Sequence, residues 1–117
     1  MDILSCARKC WQHAEDKGFH DEGVNNHTSA WVANIHEEVS EFWTAYRLDQ
    51  LHQPCDKAEK MRALGIEPLT CAEEELADIV IRTFDVAMQM NVPIQSAIER
   101  KMAYNATRSF RHGGKKA

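Results

Sequence analysis

At 117 residues the chain is long enough for one domain, burying roughly two-thirds of the surface that its unfolded form exposes. Hydrophobic residues make up 44% and charged residues 27%, which excludes a disordered or fibrous chain. The formal charge of −4 does not suit a surface built for the nucleic acid backbone, and no apolar run approaches a membrane span, so neither nucleic acid nor membrane is expected as a partner.

Only five glycines and three prolines punctuate the chain, which favours a few long helices over many short strands. The opening "MDILSCARKC" lacks a signal-peptide pattern, and Cys6, Cys10, Cys55 and Cys71 form no CxxC pair. Reduced thiols in the cytoplasm are expected. Cys6, Cys10 and His13 share one helix side and invite zinc, but cysteine behaves as a small core hydrophobe, and that reading is preferred.

In chain order, Ile3, Ala7, Cys10 and Ala14 recur at helical spacing and predict a helix over 2–17, ended by Gly18. A loop follows, and Asn26 or Thr28 is suited to cap the next helix, over 28–50. There Val32, Ile35, Val39, Phe42 and Tyr46 form an apolar seam. The segment "HQPCDKAEKMRALGIEPLT" reads as a long connection with a short helix near 56–63. The next helix opens at Thr70, whose Thr-x-x-Glu pattern with Glu73 matches a capping box. Its seam is Leu76, Ile79 or Val80, Thr83, Ala87 and Met90. Pro93 suits the first turn of a last helix over 93–108. The whole predicts an all-α, four-helix-bundle-like domain over 1–110 with a flexible basic tail over 111–117.

A second stripe runs beside each seam. Trp31, Asn34, Glu38, Glu41 and Ala45 lie one residue's rotation, about 100°, from the apolar seam. Glu75, Asp78, Arg82 and Asp85 form the corresponding stripe later in the chain. If the two helices pack antiparallel, Glu38, Glu41, Glu75 and Asp78 converge. Four anions beside a dry core are costly unless neutralised, and all-oxygen ligands select Mg²⁺, Mn²⁺ or Ca²⁺ over zinc, with Mg²⁺ the preferred ion and Mn²⁺ its substitute. No Glu has His three residues later, so the Glu-x-x-His pairs of a di-iron bundle are absent. Against this stands the commoner case, an acid-rich helix face that is simply solvated. Lys101, Asn105 and Arg108 share one face of the last helix and suit a phosphate, although cations also suit a helix end.

These residues resemble the signature of MazG-type nucleotide pyrophosphohydrolases, in the all-α NTP pyrophosphatase superfamily. "EEVSE" (Glu37, Glu38, Glu41) matches its EExxE and "ELAD" (Glu75, Asp78) its ExxD, while "KGFHDE" and "KMAYNATRSFRHGGK" resemble small single-domain members. The interval from Glu41 to Glu75 is longer than usual for the family. The resemblance implies Mg²⁺-dependent hydrolysis of a nucleoside triphosphate to the monophosphate and pyrophosphate, in nucleotide-pool house-cleaning. It implies Glu38, Glu41, Glu75 and Asp78 as metal ligands, with a homodimer or dimer of dimers. On that basis Glu37 or Glu38 activates water, and Lys101, Asn105 and Arg108 hold the triphosphate. Trp31 stacks on the base, with Phe19, His20 and Asn34 completing its pocket. Phe42, Trp43 and Tyr46 give more apolar arc than one small bundle needs, an independent reason to expect a subunit interface. The alternatives are a non-enzymatic helical binding module, or a related enzyme acting on dUTP or a phosphoribosyl nucleotide.

Overall fold

The computed structural model describes residues 2–23 and 27–116, and its helices lie close to where local signals put them. α1 (Ile3–Asp16) starts at Asp2, whose carboxylate accepts the Ser5 N–H at 2.7 Å. It stops at Gly18, left-handed at φ 80°, where the Phe19 N–H donates to the Ala14 carbonyl at 2.9 Å in a Schellman turn. The same turn closes α2 (Thr28–Arg47) at Asp49, α3 (Ala58–Ala63) at Gly65 and α4 (Cys71–Gln89) at Asn91. α4 opens on the expected capping box: Thr70 Oγ1 accepts the Glu73 N–H at 3.2 Å, and the Glu73 carboxylate accepts the Thr70 N–H at 2.9 Å. Such a cap contributes about 1 kcal/mol. α5 (Ile94–Ala106) and the distorted turn α6 (Arg111–Gly114) complete the chain.

Two boundary expectations need correction. α2 has His27 at its N-cap without a side-chain bond; Thr28 is already helical, and Asn26 lies outside the described residues. Pro93 is the N-cap of α5 and sits just outside its first turn. Among the described residues, no helix is long and apolar enough to cross a membrane.

The chain is all-helical, but it is not a closed four-helix bundle. α4 is the central element; α1 and α2 both pack along it, and α5 meets α1 and α4 more sparsely. The radius of gyration is 16.7 Å, against about 13.5 Å for a compact domain of this length. The interior is correspondingly thin. Its buried apolar residues are small ones, Ala7, Cys10, Ala45, Cys55, Ala58 and Ala87, and buried with them are Glu74 and Asp85. Burial and the neighbouring Cys6 push the Cys10 thiol up to about 11, so it packs as a neutral thiol.

This thinness has a specific cause. The apolar seams expected to form the core are partly turned outward: Val32, Val39 and Tyr46 of α2 are exposed, as are Leu76 and Val80 of α4 and Met90 at its C-cap. The inner faces are shared: Ile35, Phe42, Ile79 and Thr83 of the seams stay half-buried and Ala87 buried, and the neighbouring stripes turn inward beside them. On α2, Ala45 is buried and Trp31, Asn34 and Glu38 half-buried; on α4, Asp85 is buried and Glu75, Asp78 and Arg82 half-buried. A rotation of one residue separates the two arrangements. The helices meet partly through their acids.

Candidate metal centre

α2 and α4 run antiparallel, since Arg82 lies against Glu38 while Glu75 lies near Glu41. At i, i+3 spacing each helix then presents two acids on its inner face. Glu38, Glu41, Glu75 and Asp78 each offer a carboxylate oxygen, and these oxygens all lie within 4.8 Å of one another. The convergence expected from the two acid pairs is therefore present. Three of the four are half-buried, while Glu41 is exposed.

The electrostatics record the cost. Burial, followed by the charges of Glu41, Glu74, Asp78 and Glu38, pushes the Glu75 carboxyl up to about 7. Burial and Glu38 also raise Glu41, and burial with Glu38 and Glu74 raises Asp78. One oxygen, Glu75 Oε2, is buried with no hydrogen-bond partner among the described residues. Two cations offset part of this charge. Arg82 Nε makes a long contact of 3.4 Å with Glu38 Oε1, and Lys57 ion-pairs with Glu74. An all-oxygen donor set of four converging carboxylates fits a hard divalent cation. These four residues could hold a metal ion.

A cavity of about 320 Å³ opens beside the acids. Glu38, Glu41 and Asp78 line it, together with Lys17, Phe19 and Arg82. The Arg82 guanidinium lies over the Phe19 ring, 5.5 Å from its centroid. A larger cavity, about 490 Å³, is lined by Trp11, Trp31, His20, Glu15, Gln89 and Asn91, with Met88 beside them. Between the two stands His20. Its Nδ1 is 2.7 Å from Glu15 and its Nε2 is 2.8 Å from Asp85, a residue on the wall of the smaller cavity. Burial alone would lower the His20 pKa, but its hydrogen bonds to Glu15 and Asp85 outweigh this and raise it.

The other expected site residues divide. Phe19 and His20, read together as one base pocket with Trp31 and Asn34, face different cavities: Phe19 the acidic one, His20 and Trp31 the larger one. Asn34 is half-buried and lines neither. Glu37 is exposed and stands outside the four-acid group. Lys101 and Arg108 both lie over the Tyr104 ring, at 5.0 and 5.8 Å, and neither they nor Asn105 line the cavities at the acids. Asn105 Oδ1 is buried without a hydrogen-bond partner among the described residues.

Several participants were not singled out from sequence. Arg82 could have been, because it continues the Glu75–Asp78 stripe by one turn. Lys17 opens the "KGFHDE" stretch, although no role was assigned to it, whereas Trp11 and Lys57 come from segments that no local pattern marks. No family model, curated protein or solved structure matches this chain, so its functional reading rests on the residues and their geometry.

Proposed function

We propose that the protein is a magnesium-dependent nucleoside triphosphate pyrophosphohydrolase of the MazG-like kind. It would cleave a ribo- or deoxyribonucleoside triphosphate to the monophosphate and pyrophosphate. The observation that carries this reading is the convergence of Glu38, Glu41, Glu75 and Asp78, one carboxylate oxygen from each within 4.8 Å of the others. Partly desolvated like charges at that range are tolerable only if protonated or matched by cations, and the all-oxygen set favours Mg²⁺ or Mn²⁺.

Glu38, Glu41, Glu75 and Asp78 would hold the ion. When bound, it offsets phosphate charge and lowers the pKa of coordinated water. The chain's own residues supply the rest. Glu38, half-buried on the cavity wall, is assigned the proton-accepting role, and the exposed Glu37 is not. Arg82 and Lys17 line the same cavity and are assigned the phosphates, Arg82 by its forked donors. The larger cavity suits a nucleobase. Trp11 and Trp31 offer aromatic faces, and the Gln89 and Asn91 amides offer hydrogen bonds. Lys101, Asn105 and Arg108 have no part in this reading of a single subunit.

Incubation with Mg²⁺ and a panel of nucleoside triphosphates should release pyrophosphate, not orthophosphate, from at least one. No pyrophosphate from any of them, dUTP and phosphoribosyl nucleotides included, would reject the enzyme and leave a helical binding module.

The same reading makes the subunit half of a homodimer, or a quarter of a dimer of dimers. Its accessible surface is 8825 Å², whereas a compact monomer of this mass exposes about 6,500 Å². The excess is of the size that stable homodimers cover. Val32, Val39, Trp43 and Tyr46 on α2, with Leu76 and Val80 on α4, provide the apolar face, and the Trp43 and Tyr46 rings stack at 5.5 Å. In sedimentation experiments the native chain should run as a dimer or tetramer, and Trp43→Arg should shift it toward monomer. A monomeric native chain would remove this part of the proposal.

A further inference from the structure

The connection between α2 and α4 touches the site described so far only through Lys57, and it is pinned down at both ends. Pro54 and Thr70 form an isolated antiparallel bridge. Around it the Cys55 N–H donates to the Leu69 carbonyl, Cys71 N–H to Gln53 and Ala72 N–H to Leu51, each at 2.9 Å. Cys55 and Ala58 are buried, and between them lies Lys57, so its backbone is anchored on both sides.

From that anchor the Lys57 ammonium reaches Glu74, and Asp56 at 3.0 Å. Glu74 is 9% exposed and precedes Glu75 directly. Lys57 also lines a cavity of about 380 Å³ with Glu41, Glu74 and Glu75, so the acidic group is bordered on this side by the connector. A buried carboxylate such as Glu74 needs a counter-charge. It can take a tethered ammonium, or it can compete for a share of the metal.

We propose that Lys57 is a positioning residue that reserves Glu74, keeping this fifth carboxylate out of the metal's ligand set and thereby setting the centre's affinity for its ion. This rests on the metal-centre reading above. Removing the ammonium leaves an extra carboxylate for the cation, whereas removing Glu74 leaves an extra positive charge that repels it. The two deletions therefore act with opposite sign, and together they cancel.

Mn²⁺ titration of the full chain near pH 8 without nucleotide, followed by calorimetry and by the paramagnetic signal of free Mn²⁺, reads this without reference to activity. Lys57→Met should bind Mn²⁺ about tenfold more tightly than the native chain, and Glu74→Gln about tenfold more weakly. The double variant should return to within about twofold of native, and Lys57→Arg should stay near native. A merely structural Lys57–Glu74 pair would weaken binding in both single variants, and that result would overturn the proposal. Should Lys57→Met fail to fold, unchanged or tighter binding in Glu74→Gln does so alone. A native chain that binds no Mn²⁺ would instead remove the metal centre itself, and this proposal with it.

Discussion

Replacing Glu75 with Gln should stabilise the metal-free protein while abolishing its response to magnesium. Glu75 carries the largest penalty at the site, since its carboxyl is pushed up to about 7 and one of its oxygens is buried without a partner among the described residues. Above that pH the native state holds an ionised group that the unfolded chain holds more cheaply. An amide of the same shape removes the charge, and its N–H groups can donate to neighbouring carboxylates. Near pH 8 the metal-free variant should melt higher by about 5 °C, the shift of roughly 1 kcal/mol in a chain of this size. In the same variant Mg²⁺ should no longer raise the melting temperature, and pyrophosphate release should fall by about 100-fold or more. Glu41→Gln and Asp78→Asn should lose activity similarly while keeping the helical fold. A Glu75→Gln protein that melts lower and still responds to Mg²⁺ would contradict the account of the site. Most substitutions at a packed helix interface destabilise, so a gain is a demanding outcome.

The second large effect is on stability against pH. Glu75 binds its proton more tightly in the native state, about 7, than at its ordinary value of 4.5. Across that window the native chain therefore holds more protons than the unfolded one, and stability falls as pH rises. Glu41 and Asp78, both raised, contribute with the same sign. His20 does too: its stabilising pairs with Glu15 and Asp85 are fully present below its ordinary 6.5 and are lost as pH climbs through the raised native value. Opposing them are Asp2 and Glu73, lowered by the caps they make, whose contribution is lost only in acid below their ordinary values of 3.8 and 4.5. The metal-free protein should be most stable near about pH 5 and should melt several degrees lower by about pH 8. Saturating Mg²⁺ should remove most of this slope, because the ion replaces protons at the acids. The remainder belongs to His20, and His20→Gln should flatten it. Melting followed by circular dichroism at several pH values, with and without Mg²⁺, measures both parts. A metal-free melting temperature that rises steadily from pH 5 to pH 8 would refute the sign.

Much of this was legible before any fold was known. Helix limits were close because their determinants are local: Asp2 and Thr70 bond to backbone within one turn, and Gly18, Gly65, Asp49 and Asn91 accept the left-handed turn that ends a helix. The meeting of Glu38 and Glu41 with Glu75 and Asp78 was foreseeable for a related reason, since i, i+3 spacing places each pair on one face and antiparallel packing joins the pairs. The base pocket was less legible. Phe19 and His20 are adjacent in a loop, where no periodicity tells which way each side chain turns, and they open onto different cavities. Trp11 joins Trp31 only because α1 and α2 both pack along α4.

What the sequence determines by itself is the set of helices, their caps and, on both α2 and α4, two adjacent stripes, one apolar and one acidic. It does not determine which stripe faces the neighbouring helix, because a rotation of about 100° exchanges them at no local cost. Only the tertiary structure decides that Glu38, Glu75, Asp78 and Asp85 turn inward and Val32, Val39, Tyr46, Leu76 and Val80 turn outward. The same long-range packing brings Lys57 from the connector to Glu74. Backbone hydrogen bonds and caps act within a few residues, whereas burial of a face depends on what lies across from it, and for these two helices the sequence near each one is silent on that.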